Sequence, residues 1–411
     1  MTKALEVDGL RLWETIMASA KIGATPKGGL CRLALTECDR EMRDLFVRWC
    51  KDAGLSIRVD AVGNIFVRMP GLDANAKAVV IGSHLDTQIQ GGRFDGILGV
   101  LSGLEVLRTL KDRGIQTVRP VEVVCWTNEE GVRFQPPLMG AGFFAGVHDA
   151  DFVLSQVDKD GVSFKSELKR IGYAGTESSD RPDIDSYFEL HIEQGPVLFE
   201  EGLSVGIVTG GFTSYGAQVR FHGENAHSGA TPMRSRKDAL VALAMLVNRV
   251  NDIGWEYEPQ GRSTSTEAWI SPNRYGIIAH ETQVTVDVRH PIAGKAEEMF
   301  QKITLAVEEA AQNAGVRAEI VKQWSFGDVV FDTDLVNLVR RVAAKLNVSH
   351  KHLLSAAGHD AYHVASIAPT AMIFTPCKDG VSHNEAEEID LDYTLPGVNV
   401  LLNAVITRAN R

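Results

Sequence analysis

The chain has 411 residues, enough at roughly 100–200 residues per domain for two or three domains. Its 44% apolar and 23% charged residues are the balance of an ordinary globular protein, not of a disordered one. Forty-two Lys and Arg against 53 Asp and Glu give a net charge of −11, which argues against non-specific nucleic-acid binding and against docking on anionic membranes.

The N-terminus (Met1, Thr2, Lys3, Ala4, Leu5, Glu6) lacks a basic stretch followed by an apolar core, so no signal peptide is expected. The longest apolar run, Ala239–Val247, is nine residues, far short of the roughly 20 that cross a bilayer. Five scattered cysteines (Cys31, Cys38, Cys50, Cys125, Cys377) contain no CxxC. They read as free thiols of a reducing, cytoplasmic compartment.

In chain order, Ala78–Ile81 reads as a buried strand. Ile97, Val100, Leu101, Leu104, Leu107 and Leu110 follow at helical spacing, with Asp95 placed to cap the start, and Val121–Trp126 is the next strand. Strand, helix, strand suggests a crossover unit in a sheet covered on both faces. Tyr187–Ile192 and Ala371–Phe374 are further short apolar strands. Between them the pattern changes. Gly216–Phe221 and Arg317–Trp324 read as strands, Lys237–Val250 and Ala296–Ala314 as helices. Gln283–Arg289 alternates, with Val284, Val286 and Val288 on one face. That is a half-exposed antiparallel sheet with helices on one face. The expected architecture is α/β: a mixed, largely parallel-type sheet with helices on both faces (1–213 and 327–411), interrupted by an inserted α+β domain (214–326).

Metal-ligand residue types gather at the ends of the predicted strands. His84 and Asp86 are two apart and share a side in an extended chain. Asp95 lies in Gly-Gly-Arg-Phe-Asp-Gly (91–96), and Glu129 and Glu130 follow the Val121–Trp126 strand. Adjacent side chains diverge there, so one glutamate can ligate while the other handles a proton. His191, with flanking carboxylates, closes the fourth cluster, and His383 follows the Ala371–Phe374 strand. Each has an ordinary explanation alone: a polar strand end, a helix cap, an acidic loop, a structural histidine. Together they fall at one edge of a parallel-type sheet, where open α/β sheets bind ligands. Mixed imidazole and carboxylate donors favour Zn, Mn, Co, Ni or Fe over Ca or Mg.

These stretches resemble peptidase family M20, and specifically its hydantoinase/carbamoylase branch of amidohydrolases. The resemblance rests on GSHLDTQIQGGRFDGILGV (82–100), TNEEGVRF (127–134), ELHIEQGPVL (189–198), NAHSGATPM (225–233), AGHDA (357–361) and SHNEAE (382–387). It implies two divalent ions (Zn, Mn, Co or Ni), one held by His84, Asp95 and His191, the other by Asp95, Glu130 and His383. It implies Glu129 as general base and Asp86 as the residue that orients His84. Gln194, His227, Arg289, Gly358 and His359 would contact substrate, His227 from the partner subunit of a homodimer through the inserted dimerisation (lid) domain. The implied reaction is cleavage of a linear ureido C–N bond in an N-carbamoyl-L-amino acid, with allantoate and 3-ureidopropionate as alternatives and an aminoacylase, dipeptidase or catalytically dead binding homologue further off. Two positions depart from the branch: Gly276 stands where it usually carries Asn, and Ala356 where it tends to have Gly. Ser166 and Lys169 match an SxxK spacing by chance, the rest of that nucleophile system being absent. His359 and His363 are four apart and could share a helical face, His363 in a structural role.

Overall fold

The computed structural model describes residues 4–175 and 183–411, so Met1–Lys3 of the N-terminal stretch lie outside the described residues. Its strands are β1 (Ser56–Val59), β2 (Ile65–Met69), β3 (Ala78–His84), β4 (Val121–Trp126), β5 (Ile184–Ile192), β6 (Val205–Gly211), β7 (Thr213–His222), β8 (Arg262–Ser271), β9 (Glu281–His290), β10 (Arg317–Phe326), β11 (His350–Ser355) and β12 (Thr370–Thr375). The chain divides into two compact units. The first is Met1–Thr209, Val330–Leu353 and His359–Arg411; the second is Gly210–Val329 with Leu354–Gly358.

The first unit holds a mixed eight-stranded sheet in the order β1-β2-β4-β3-β5-β12-β6-β11. Its centre, β4-β3-β5-β12, is parallel. On one side β2 and β1 continue antiparallel, and on the other β6 runs antiparallel to β12. The parallel character is therefore confined to the middle, where β3, β4 and β12 are buried at every residue. Such strands need cover on both faces. Val123 faces helix Ile97–Asp112 at Gly103, whereas Trp126, three residues along the same strand, meets Phe144 of helix Met139–Ala145. Alternation along a strand puts these helices on opposite faces.

The second unit is a four-stranded antiparallel sheet, β10-β7-β9-β8. Val284, Val286 and Val288 turn into a core shared with helices Ala239–Glu256 and Ala293–Ala314. Asp238 starts the first of these helices by accepting from the amides of Leu240 and Val241. Residues 354–358, expected with the catalytic domain, belong to this unit for a local reason. Ser355 O accepts from Phe212 N, Ala356 O from Arg289, and the Phe326 ring abuts Gly358.

Among the described residues no helix is long and apolar enough to cross a membrane, and all five cysteines are free.

One local expectation is overturned. Asp95 does not cap the Ile97–Asp112 helix; the cap position is Gly96, with φ 68° and no side-chain cap bond. A Cβ at Gly96 would sit 2.3 Å from the His84 ring, so position 96 needs glycine on both counts. The turn points the Asp95 carboxylate elsewhere.

Candidate metal centre

The parallel strands deliver their C-terminal ends to one place. His84 is the last residue of β3, His191 the last but one of β5, and Glu129 and Glu130 lie in the turn after β4. Asp95 stands between them. Its Oδ1 lies 3.1 Å from His191 Nε2 and 3.8 Å from His84 Nε2, while its Oδ2 lies 3.3 Å from His383 Nε2. His383 Nε2 is also 3.5 Å from Glu130 Oε2, and Glu129 Oε2 is 3.4 Å from His84 Nε2. The structure thus brings together the six residues His84, Asp95, Glu129, Glu130, His191 and His383. Within each trio, His84–Asp95–His191 and Asp95–Glu130–His383, the potential ligand atoms lie within 4.8 Å of one another.

The surroundings fix these groups. His84 Nδ1 faces the Asp86 carbonyl at 2.9 Å and His191 Nδ1 faces the Ile192 carbonyl at 2.9 Å, so in both rings Nε2 is the nitrogen turned to the cluster. Asp86 acts differently from the expectation. Its carboxylate is 4.0 Å from His84 and instead accepts from the amides of Glu129 and Glu130, both at 3.2 Å. Its main-chain carbonyl orients the imidazole, and its side chain ties the β3 turn to the β4 turn. Glu387 accepts from the amides of Phe94 and Asp95, Gln88 donates to Glu130 Oε2, and Ser382 donates to Asp95 Oδ2. Sequence reasoning assigned none of these three a role, although Gln88, Ser382 and Glu387 all lie in stretches it singled out. Asn128, Gln194 and His383 have positive φ (58°, 56° and 51°), uncommon for residues other than glycine and a mark of turns held by their surroundings.

Burial and crowding of charge shift each of these groups. Burial, then the charges of Asp360 and Glu130, push the Glu129 carboxyl well above the usual range. Burial, followed by Asp95, raises Glu130 to about 8. Burial lowers His84 to about 4. For His191 burial opposes the charged form, but the hydrogen bond and charge of Asp95 outweigh it and the ring rises to about 9; His383 rises to about 9 in the same way. Asp95 is held well below the carboxylate range, its burial overcome by these two histidines.

Of the remaining expected residues, Gln194 donates from Nε2 to Asp95 Oδ2 at 2.9 Å, and its Oε1 is buried with no partner among the described residues. The buried His359 ring stands edge-on to His191 with centroids 4.5 Å apart. It precedes the helix Asp360–Val364, so it does not share a helical face with His363, whose ring instead meets His148.

In the second unit, Arg289 donates from Nε to Asp287 at 2.8 Å and from Nη1 to the Ala356 carbonyl at 2.9 Å, leaving Nη2 as its remaining donor nitrogen. The partner is thus its neighbour on the same strand face. His227 is exposed, and its Nδ1 accepts from the amides of Gly229 and Ala230, both at 3.0 Å, which leaves Nε2 outward. Gly276, at φ +90°, accepts from Ser228 N beside the His227–Ile277 bridge, in a backbone conformation that glycine adopts readily and most side chains do not.

The sequence model of peptidase family M20/M25/M40 matches residues 80–407. The chain belongs to this family. The N-carbamoyl-L-amino-acid amidohydrolase of Rhizobium meliloti is 43% identical over 98% of this chain and 97% of its own length. The ureidoglycolate hydrolase of Arabidopsis thaliana is 32% identical over 98% of this chain and 87% of its own. A hydantoinase/carbamoylase-family amidase of Burkholderia vietnamiensis, of solved structure, superposes with TM-score 0.95 at 45% identity over the whole of both chains. The donor set also fits divalent-metal use within the M20 family. Imidazole nitrogens and carboxylate oxygens are the ligands of borderline first-row cations, and the buried, unpartnered Gln194 Oε1 marks unmet polar capacity beside them.

Proposed function

We propose that the protein is a metal-dependent amidohydrolase that cleaves the linear ureido C–N bond of an N-carbamoyl-L-amino acid or a related ureido acid. The observation that carries this reading is the division of Asp95: each carboxylate oxygen serves a different trio, with Glu129 alongside. Asp95 would serve two divalent ions, one also held by His84 and His191, the other by Glu130 and His383. Divalent ions held there, as Zn, Mn, Co or Ni, would supply Lewis-acid polarisation and lower the pKa of water.

The chain's own groups do the rest. Glu129 Oε2 takes the proton of the attacking water and returns it to the leaving nitrogen, a task suited to a carboxyl lifted by burial and like charge. Asp86 holds the Glu129 and Glu130 amides, so the base and the neighbouring donor keep a fixed separation. The ureido bond opens to an amino acid and a carbamate, which breaks down to carbon dioxide and ammonia. Arg289 serves recognition of the substrate carboxylate through its planar fork; Gln194, His227, Gly358 and His359 complete the substrate contacts.

The protein acts as a homodimer in the cytoplasm, with His227 contributed across the dimer. Exposed Val241, Met245 and Trp269 in the second unit support pairing, and the free cysteines fit a reducing compartment. Gly276 in place of the branch's Asn points away from a fixed choice among ureido acids, and the ureidoglycolate hydrolase relatives keep the allantoate type in view. A turnover panel of N-carbamoyl-L-amino acids, allantoate and 3-ureidopropionate, each with Mn, Zn, Co or Ni and ammonia as readout, tests the reading. Ammonia release from at least one ureido acid is expected; no release from any of them with any of the four metals overturns it.

A further inference from the structure

Two arginines of the first unit are wholly buried behind the metal centre, and both precede the family match, which begins at residue 80. Among the described residues Arg32 makes no hydrogen bond to a carboxylate. Its Nε donates to the Leu85 carbonyl at 2.8 Å, Nη1 to the carbonyls of Ser19 and Ile22 at 3.1 and 3.0 Å, and Nη2 to Ser19 Oγ at 3.4 Å. Its own backbone is pinned to the same turn: Arg32 N donates to Thr87 Oγ1 at 2.9 Å, and Thr87 N to Arg32 O at 3.0 Å. Two residues earlier, Leu30 and Gly91 exchange reciprocal backbone bonds at 2.9 Å. Residues 30–32 are thus a strap laid along the 84–91 segment that carries His84 and Asp86.

Arg43 serves the other turn. Its Nε donates to Asp39 at 2.8 Å, Nη1 to the Gly63 carbonyl at 2.7 Å, and Nη2 to Thr127 Oγ1 at 3.2 Å, next to Asn128-Glu129-Glu130. Asn64 Oδ1 receives the Thr127 amide at 2.9 Å, so Thr127 is gripped at side chain and main chain. Burying guanidinium groups is costly, and a cation bonded to neutral carbonyls recovers less of that cost than an ion pair. What Arg32 and Arg43 gain is geometric, since each planar fork ties separate chain segments together: Arg32 joins Leu85 to Ser19 and Ile22, and Arg43 joins Thr127 to Asp39 and Gly63.

We propose that Arg32 and Arg43 are positioning residues for the metal centre, Arg32 fixing the turn of residues 84–87 and Arg43 the turn of residues 127–130. The inference rests on the amidohydrolase reading for its kinetic arm alone. The turn of 84–87 presents an ion-holding imidazole, so Arg32 governs divalent-ion affinity. The turn of 127–130 presents the base, so Arg43 governs the proton-transfer step.

The test compares Arg32→Lys, Arg43→Lys, Thr87→Val and Thr127→Val with Arg408→Lys, a substitution at the Asp185 ion pair away from both turns. Mn²⁺ affinity is read by chelator competition without substrate, folding by thermal melting, and kcat and KM by ammonia release. Arg32→Lys is expected to weaken Mn²⁺ binding about 10–100-fold, the usual effect of removing a partner behind a ligand, with Thr87→Val following in the same direction. Arg43→Lys and Thr127→Val lower kcat by about tenfold or more while KM stays within about threefold. Arg408→Lys loses thermal stability without changing affinity or kcat. Should a lysine variant fail to fold, its valine counterpart decides. Folded variants at both turns with wild-type Mn²⁺ affinity and kcat overturn the proposal, as does an equal loss in Arg408→Lys. If the wild type releases no ammonia from any ureido acid, the function reading fails while the Mn²⁺ arm still judges Arg32.

Discussion

At the level of single residues, the proposed division of roles between Glu129 and the side chains that would hold the ions sets the sharpest expectations. Glu129→Gln keeps the shape and the amide contacts of the turn but cannot carry a proton. Bound metal, measured by elemental analysis, should stay near wild type while kcat falls by about 10²–10⁴-fold, the range for loss of a general acid–base group. A variant with comparable activity would remove Glu129 from the mechanism. Arg289 makes a different prediction. Its Nε and Nη1 are already oriented by Asp287 and the Ala356 carbonyl, so Arg289→Ala removes a pre-aimed cation. KM for a carboxylate-bearing ureido acid should rise roughly 10–100-fold, matching the worth of a charged hydrogen bond, with kcat changed far less. Equal responses to substrates with and without the carboxylate would contradict the clamp.

At the scale of elements, the site consists of strand ends and the turns after them, and these store charge when no ion is present. Glu130 is raised to about 8 by burial and then by Asp95, and Asp86 to about 7 by burial and then by Asp39. A carboxyl lifted above its unfolded value favours the folded state at low pH and loses that contribution as pH rises through the folded value. His191 and His383, raised from 6.5 to about 9, have the same sign in this window, for their stabilisation is complete below 6.5 and gone above 9. The melting temperature of metal-stripped protein should therefore fall between pH 6.5 and 9, and divalent ions, replacing protons as the counter-charge, should flatten the fall. A flat or rising Tm in stripped protein across that range would refute this account of the cluster.

The same elements show what the sequence makes readable. β3, β4, β5 and β12 were visible as apolar runs because burial on both faces removes polar residues, and β9 because its valines alternate. β8 (RSTSTEAWIS) and β11 (HKHLLS) carry little apolar signal, β8 being largely exposed, and β1, β2 and β6 are short or glycine-bearing. The ligand types at strand ends were legible from chemistry. Asp95 was misread locally as a cap, since a carboxylate just before a helix has that role by default and only the conformation of Gly96 turns it away. The double grip of Asp86 and the arginines behind the turns were invisible, because contacts between residues tens of positions apart leave no local pattern.

At the scale of the whole molecule, sharing of His227 across a dimer is tested by mixing. Heterodimers of His227→Ala and Glu129→Gln subunits contain one site with both groups intact. Well-mixed samples, their composition checked by native mass spectrometry, should regain up to about half of the activity per dimer, on the sharing logic of symmetric oligomers. No recovery, or a monomer by light scattering, would place His227 outside the site of its neighbour.

The proposed role of Asp95 is to serve a pair of divalent ions on which ureido hydrolysis would depend. Its decisive check is a titration of Mn²⁺ into metal-stripped protein while ammonia release from an N-carbamoyl-L-amino acid is followed. The stripped protein should show no turnover, activity should rise and saturate at two ions per chain, and Asp95→Ala should abolish both the paired binding and the activity. Full ammonia release under excess chelator, or paired binding and activity that survive Asp95→Ala, would contradict it.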